Sequence, residues 1–245
     1  MNDFNFNIIY IPIIDSTNSY AHKLLREKKV QESTVIRTDF QEKGKGQLNN
    51  KWESEEGKNL LISMILYPNL VVDQQFLISK VVALGVKDYL DSLSAGEVKI
   101  KWPNDILIDK KKVAGILIEN SIVGKLINTS ILGIGLNVNQ EEFKSYQREA
   151  LSLRRIKKRE FNLQNVLKEL INKIRLRYLQ FQSQPDLLEK EYLIGLYGYG
   201  TPMKFKDSDG EFTGVIQTVL RNGKLQLNVN GTLKSYELKE IQFID

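Results

Sequence analysis

The chain contains no cysteine, which excludes a disulfide framework, a thiolate nucleophile and a cysteine metal site. It has one histidine, His22, so a multi-histidine metal centre has no ligands. No apolar run approaches the ~20 residues that cross a bilayer. The opening stretch MNDFNFNIIYIPIID lacks the basic region, apolar run and small-residue cleavage site of a secretion signal. Strong charge imbalance is missing too: a net charge of +5 over 245 residues allows nucleic acid or phosphorylated ligands without demanding either. What is present, 42% hydrophobic residues, suffices for one sizeable core and a small second domain. A soluble cytoplasmic protein is the expectation.

Residues 6–14 read as a strand, and Asp15, Ser16 or Thr17 of the following DSTN can cap a helix through Tyr20, Ala21, Leu24 and Leu25. TVIRTDF (34–40) and NLLISMILY (59–67) read as strands flanking a polar segment. Ile78, Val81, Val82, Gly85 and Tyr89 recur at helical spacing and predict a long helix from Asp73 to about Leu93. Strands follow at 97–102, 113–123 and 126–138. An arginine-rich polar link (145–160) reads as a solvated loop and leads to a helix from Asn162 to Gln182. After Pro185 comes a short helical turn, and then four or five short strands with turns at Asp209-Gly210, Asn222-Gly223 and Asn230-Gly231, a small β-barrel.

Three segments carry candidate chemistry. KWPNDILIDKKKVAGILIEN (101–120) sets turn residues and three lysines between two β-rich flanks; taken alone it also reads as a surface hairpin with a solvated lysine tip. The loop over 38–63 carries Gly44, Gly46 and Gly57 with Lys43, Lys45 and Lys51. Glycines let backbone N–H groups approach an anion and lysines supply charge, so the loop suits covering a phosphate. It matches neither G-x-x-x-x-G-K-[ST] nor G-x-G-x-x-G, and a flexible linker is the other reading; Trp52 beside it is unlike a linker. ILGIGLNVN (131–139) is a strand whose Gly133 and Gly135 allow close packing, and whose Asn137 stands at a strand end where an amide can meet a purine or a phosphate. With no cysteine and no clear Ser-His pair, an acyl-enzyme lacks a nucleophile, whereas acyl-adenylate chemistry needs none.

In order and approximate spacing, DSTN, the GKGQ…KW loop with S…GKNLLIS, KWPNDI…KKVAGILIE and GIGLNVN resemble the catalytic core of the biotin protein ligase family, and the β-rich C-terminus resembles that family's second domain. The resemblance implies an α+β fold, a mixed β-sheet packed with helices (the class II synthetase-like biotin/lipoate ligase fold), over residues 1–185. A small SH3-like β-barrel with its leading helical turn is implied over 186–245. It implies that biotin and ATP form biotinyl-5'-AMP, from which a lysine of a biotin carboxyl carrier protein takes the biotin.

By position, biotin is expected at Ser16, Thr17, Asn18, Gln41, Gly44, Lys45, Lys112 and Gly115, and ATP at Lys45, Gln47, Trp52, Lys101, Asn104 and Asn137. Lys112, Lys45 and Asp105 carry the catalytic roles, with Mg²⁺ arriving on ATP near Asp105 rather than in a side-chain cluster. Trp102 and Pro103 are scaffold, and His22 has no role. The rival within the same fold, a lipoate ligase, is disfavoured by KWPND and GKGQ. No DNA or membrane partner is expected, and the protein is expected to be a monomer or homodimer. Where many members read G-R-G-R-R-G-R, this chain has Gly44-Lys45-Gly46-Gln47-Leu48-Asn49-Asn50, which keeps a charge at Lys45 but not the arginine fork.

Overall fold

The computed structural model describes residues 6–47, 50–143 and 149–244. β1 (Ile8–Tyr10) and β2 (Ile13–Ile14) divide the stretch whose composition predicts one strand. The break falls at Ile11-Pro12, where proline has no N–H for a ladder and its carbonyl accepts the Thr38 hydroxyl at 2.9 Å. α1 (Thr17–Glu27) begins at the cap position Ser16. β3 (Val35–Thr38), β4 (Phe40–Gln41), β5 (Leu60–Leu66) and β6 (Leu70–Val71) precede α2 (Phe76–Ser92). β7 (Val98–Lys101), β8 (Asp105–Ile108), β9 (Lys111–Val123) and β10 (Leu126–Leu136) complete the sheet. Its order is β1-β3-β5-β10-β9-β8-β7, with β6 also on β10. β1 pairs parallel with β3 and the other neighbours are antiparallel, so the sheet is mixed as expected.

Successive strand residues face opposite sides, and the two faces are covered differently. Ile36, Ile65 and Ile131 pack with Ala21 and Leu24 of α1. Val35, Met64 and Leu132 point the other way, into the main core beneath α2 and α4 (Leu163–Ser183). α2 and α4 cross closely at Gly85, where a Cβ would lie 2.7 Å from the Ile174 Cα. The arginine-rich link is not wholly a solvated loop: Leu153–Lys157 form α3, capped by the Ser152 side chain, and Lys157 Nζ donates to Leu93 O at 3.0 Å.

The expected helical turn after Pro185 is an eleven-residue helix, α5 (Pro185–Gly195). Its Leu188 and Tyr192 are fully buried in the main core, so the expected boundary at 185/186 cuts ahead of a helix that packs with the larger unit. The β-unit proper starts at β11 (Pro202–Asp207) and continues through β12 (Gly210–Val219), β13 (Leu225–Val229), β14 (Thr232–Tyr236) and β15 (Gln242–Ile244). These five strands run in the order β14-β13-β12-β11-β15 around Phe205 and Phe243, whose rings meet at 5.0 Å. Lys80 of α2, 1% exposed, ties the units together by donating to Glu189 Oε2 at 2.9 Å and to Val219 O at 2.8 Å. Trp102 donates to Gly223 O at 2.9 Å.

Candidate active site

On the α1 side of the sheet, Gly115 of β9 and Gly133 and Gly135 of β10 leave a hollow that larger side chains would fill. The cavity there is about 270 Å³. Its walls include the start of α1, the KWPND turn and the glycine-lysine loop. Gly115 and Gly135 are directly opposite one another in the β9–β10 register, and together they seat the Trp52 indole. A Cβ at Gly135 would lie 2.4 Å from the ring and one at Gly115 2.8 Å from it, so glycine is needed at both positions. The indole N–H is buried and has no acceptor among the described residues.

Polar groups gather near Gly133. Thr17 N donates to Gln41 Oε1 at 2.7 Å, and the Thr17 hydroxyl lies 3.1 Å from the same oxygen. Asn18 packs on Gly133, whose added Cβ would lie 2.5 Å from Asn18 Oδ1. Positive charge gathers near Gly115. Lys112 Cε is 3.5 Å from where a Gly115 Cβ would sit, and Lys112 Nζ stands 5.6 Å from the Trp52 ring centroid. Gly133 and Gly135 are two residues apart on one strand, roughly 7 Å in backbone rise, so the polar and cationic groups gather at successive positions along the same face. Lys45 and Lys51 also line the cavity, and Asp105 is its one acidic lining residue. A ligand with a neutral polar head, an apolar middle and an anionic tail matches this layout.

Lys112 stands not at the hairpin tip but inside β9; Asp109 and Lys110, both with positive φ, make the tip. Its backbone is held on one side by β8, through the Leu107↔Lys112 pairing, and on the other by a bridge to Ala150, with Lys112 N donating to Glu149 O at 3.0 Å. Lys112 Nζ forms an ion pair with Asp105 Oδ1 at 2.7 Å, and among the described residues that buried oxygen has no other polar partner. The loop is fastened at its start by Lys43 Nζ on Asp15 Oδ2 at 2.9 Å. That contact raises the Lys43 pKa and lowers that of Asp15. It closes through Gly46 N on Asn50 O at 2.7 Å and Trp52 N on Gly44 O at 3.0 Å.

A sequence model of the biotin/lipoate A/B protein ligase family matches residues 10–137, more than half of the chain. The chain belongs to the biotin/lipoate A/B protein ligase family. It is 28% identical over 243 residues to the bifunctional ligase/repressor BirA of Bacillus subtilis (strain 168), covering 96% of this chain and 74% of that protein. To the biotin–[acetyl-CoA-carboxylase] ligase of Paracoccus denitrificans it is 34% identical over 126 residues, 51% of each chain. The solved structure of the Aquifex aeolicus biotin protein ligase in complex with biotin and ATP superimposes with a TM-score of 0.79 at 27% identity, covering 97% of this chain and 98% of that one.

Of the residues the family resemblance assigns, Ser16, Thr17, Asn18, Gln41, Lys45, Gln47, Trp52, Asn104, Asp105, Lys112 and Gly115 line the cavity. Gly44, Lys101 and Asn137 stand elsewhere. Gly44 is buried within the loop, where a Cβ would lie 2.5 Å from the Trp52 carbonyl oxygen. Lys101 places its ammonium 5.1 Å from the Phe243 ring centroid, towards the β-unit. Asn137 is 4% exposed and donates to Leu151 O at 3.2 Å, so its amide pins the chain that brackets Lys112 instead of facing the crevice. His22, given no role from the sequence, lies 3.3 Å from Glu119 Oε2. The sequence reading missed Ser63, hidden in an apolar strand, and Leu238, which the C-terminal unit brings to the cavity wall. Leu238, Gln47, Pro103, Asn104 and Ile116 also line a neighbouring cavity of about 360 Å³ between the two units.

Proposed function

We propose that the protein is an ATP-dependent biotin protein ligase whose acceptor is a lysine of the biotin carboxyl carrier domain of a biotin-dependent carboxylase. The observation that carries this reading is the cavity's polarity, a hydrogen-bonding head at Thr17 and Gln41 and a cation at Lys112, beside Gly115, both in its lining. That layout suits a cyclic urea at one end and a carboxylate at the other. A biotin carboxylate oxygen attacks the α-phosphorus of ATP, the bond to the bridging oxygen breaks, and pyrophosphate leaves. The carrier amine then attacks the acyl carbon, loses a proton and expels AMP.

This chemistry needs positioning and fixed charge rather than a protein nucleophile. Lys112 sits where charge builds on the carboxylate and α-phosphate, held by the β8 pairing and the Ala150 bridge. Lys45 and Lys51 add charge on the loop side, and the Trp52 N–H offers a donor. Asp105, the acidic residue of the lining, is where a Mg²⁺ that keeps most of its ligands on phosphate and water would be held. Bound there, the ion would neutralise phosphate charge. Asp105 stands close enough to Lys112, at 2.7 Å, to orient its ammonium.

ATP–pyrophosphate exchange tests the reading. Exchange that requires biotin, and that lipoate does not support, is expected; exchange with lipoate alone would move the assignment to the other branch of the family.

A further inference from the structure

Behind the polar end of the cavity, hydrogen bonds run from the surface to Thr17, and each link constrains the next. The outermost group is Glu119 of β9, about a third exposed. Its Oε2 accepts from Asn18 Nδ2 at 2.8 Å and lies 3.3 Å from His22 Nε2. An ionised carboxylate only accepts, so Asn18 must turn its NH₂ group outward; Leu117 O, 3.4 Å from the same nitrogen, asks for the same orientation. Asn18 Oδ1 therefore faces inward, 2.5 Å from Ser63 Oγ. An amide oxygen has no proton to give, and a hydroxyl has one, so the Ser63 proton goes to Asn18.

Ser63 Oγ also stands 2.7 Å from Thr17 Oγ1. With the serine proton committed, that contact can be made only with the Thr17 proton. The other neighbour of Thr17, Gln41 Oε1 at 3.1 Å, is an acceptor as well, because it takes the Thr17 backbone N–H at 2.7 Å. Whichever of the two receives the Thr17 proton, the protein has used it. Towards the cavity, Thr17 Oγ1 can then only accept.

We propose that Glu119 is a positioning residue that, through Asn18 and Ser63, fixes Thr17 as an acceptor and so makes the cavity select a ligand head that presents an N–H. The inference rests on the biotin ligase reading, in which that head is the cyclic urea. Neither Glu119 nor Ser63 lines the cavity, so both act through other groups. A sulfur or carbonyl in place of the N–H would face the Thr17 lone pairs without a proton between them, a mismatch that polar sites reject strongly.

The test is steady-state pyrophosphate release by the full chain with Glu119→Gln and Glu119→Leu. The glutamine keeps an acceptor for Asn18, so its KM for biotin should stay within about threefold of wild type. The leucine removes that acceptor and leaves only the long 3.4 Å contact with Leu117 O to orient the amide, and KM for biotin should rise about tenfold or more, with kcat and KM for ATP within about threefold. Ser63→Ala breaks the same relay one link further in and should repeat that pattern if Glu119→Leu does not fold. An unchanged biotin KM in the leucine and alanine variants overturns the inference. So does a glutamine variant as impaired as the leucine, or a parallel loss in kcat and ATP KM, which would mark a merely structural role. If wild type itself releases no pyrophosphate with biotin, the ligase reading fails, and the inference with it.

Discussion

Gly135→Ala probes the seat of the indole. Three ring atoms of Trp52 lie 2.4, 2.6 and 2.9 Å from where the new methyl would sit, against the ~3.5–4.0 Å of a comfortable carbon contact. The ring must therefore lift by about 1 Å. Gly135 belongs to the central strand pair of the sheet, whereas Trp52 sits on a loop, so the indole yields first. Overpacking of this kind costs typically 1–3 kcal/mol, which as affinity is about 5- to 150-fold. Biotin titration by calorimetry should show that loss. Thermal unfolding should shift by less than about 4 °C, because the strain relaxes outward through the loop rather than into the core. Tryptophan emission should move to the red, since the only other tryptophan, Trp102, is 4% exposed and bonded to Gly223 O. Gly214→Ala, whose methyl would meet nothing closer than 3.4 Å, is the control. Biotin affinity within threefold of wild type in Gly135→Ala, with unmoved emission, would refute the argument.

Lys112→Met should lower biotin-dependent pyrophosphate release by roughly 10²- to 10³-fold with Tm nearly unchanged, because this ammonium is part-exposed and its partner Asp105 can be solvated; release within tenfold of wild type excludes the role. Lys80→Met strands the buried Val219 carbonyl and takes one of two cations from Glu189, which keeps Arg221 at 2.9 Å. A loss of about 2–3 kcal/mol follows, read as a Tm drop of roughly 4–12 °C, and no drop would show that this link between the units contributes nothing. Burial raises the Tyr178 pKa to about 12 and those of Tyr89 and Tyr192 further. The unfolded chain sheds these protons from about pH 10 while the folded chain keeps them, so stability is full below pH 10 and falls above it, by about 1.4 kcal/mol per unit for each such group. A flat Tm between pH 9 and 11.5 would contradict this, and Tyr178→Phe should shallow the slope.

Much of the fold was legible because periodicity is local: α2, α4 and the β5, β9 and β10 strands stand where apolar spacing puts them. Thr17, Gln41, Trp52 and Lys112 were legible as a motif set, and they do meet in one cavity. What failed depended on long-range pairing. Asn137 at a strand end looks the same in sequence whether its amide faces a ligand or Leu151 O. Asn139 bonds Phe161 through both its amide oxygen and nitrogen, and no local pattern announces that. Ser63 reads as one small residue in LLISMIL, and only the approach of α1 turns it into a link between Thr17 and Asn18. The turn expected after Pro185 was underestimated in length: Pro185 starts α5 at its first turn, where proline is favoured, and only tertiary packing of Leu188 and Tyr192 shows which unit the helix lies against.

In the proposed reaction, one cavity activates biotin with ATP and hands it to a carrier lysine. Intact-mass measurement of a biotin carboxyl carrier domain, incubated with this protein, biotin, ATP and Mg²⁺, tests it most directly. The expected result is a gain of one biotinyl group on a single lysine, absent when ATP is omitted, absent when lipoate replaces biotin, and lost with Lys112→Met. A carrier of unchanged mass at saturating biotin and ATP, or one modified equally by lipoate, would contradict it.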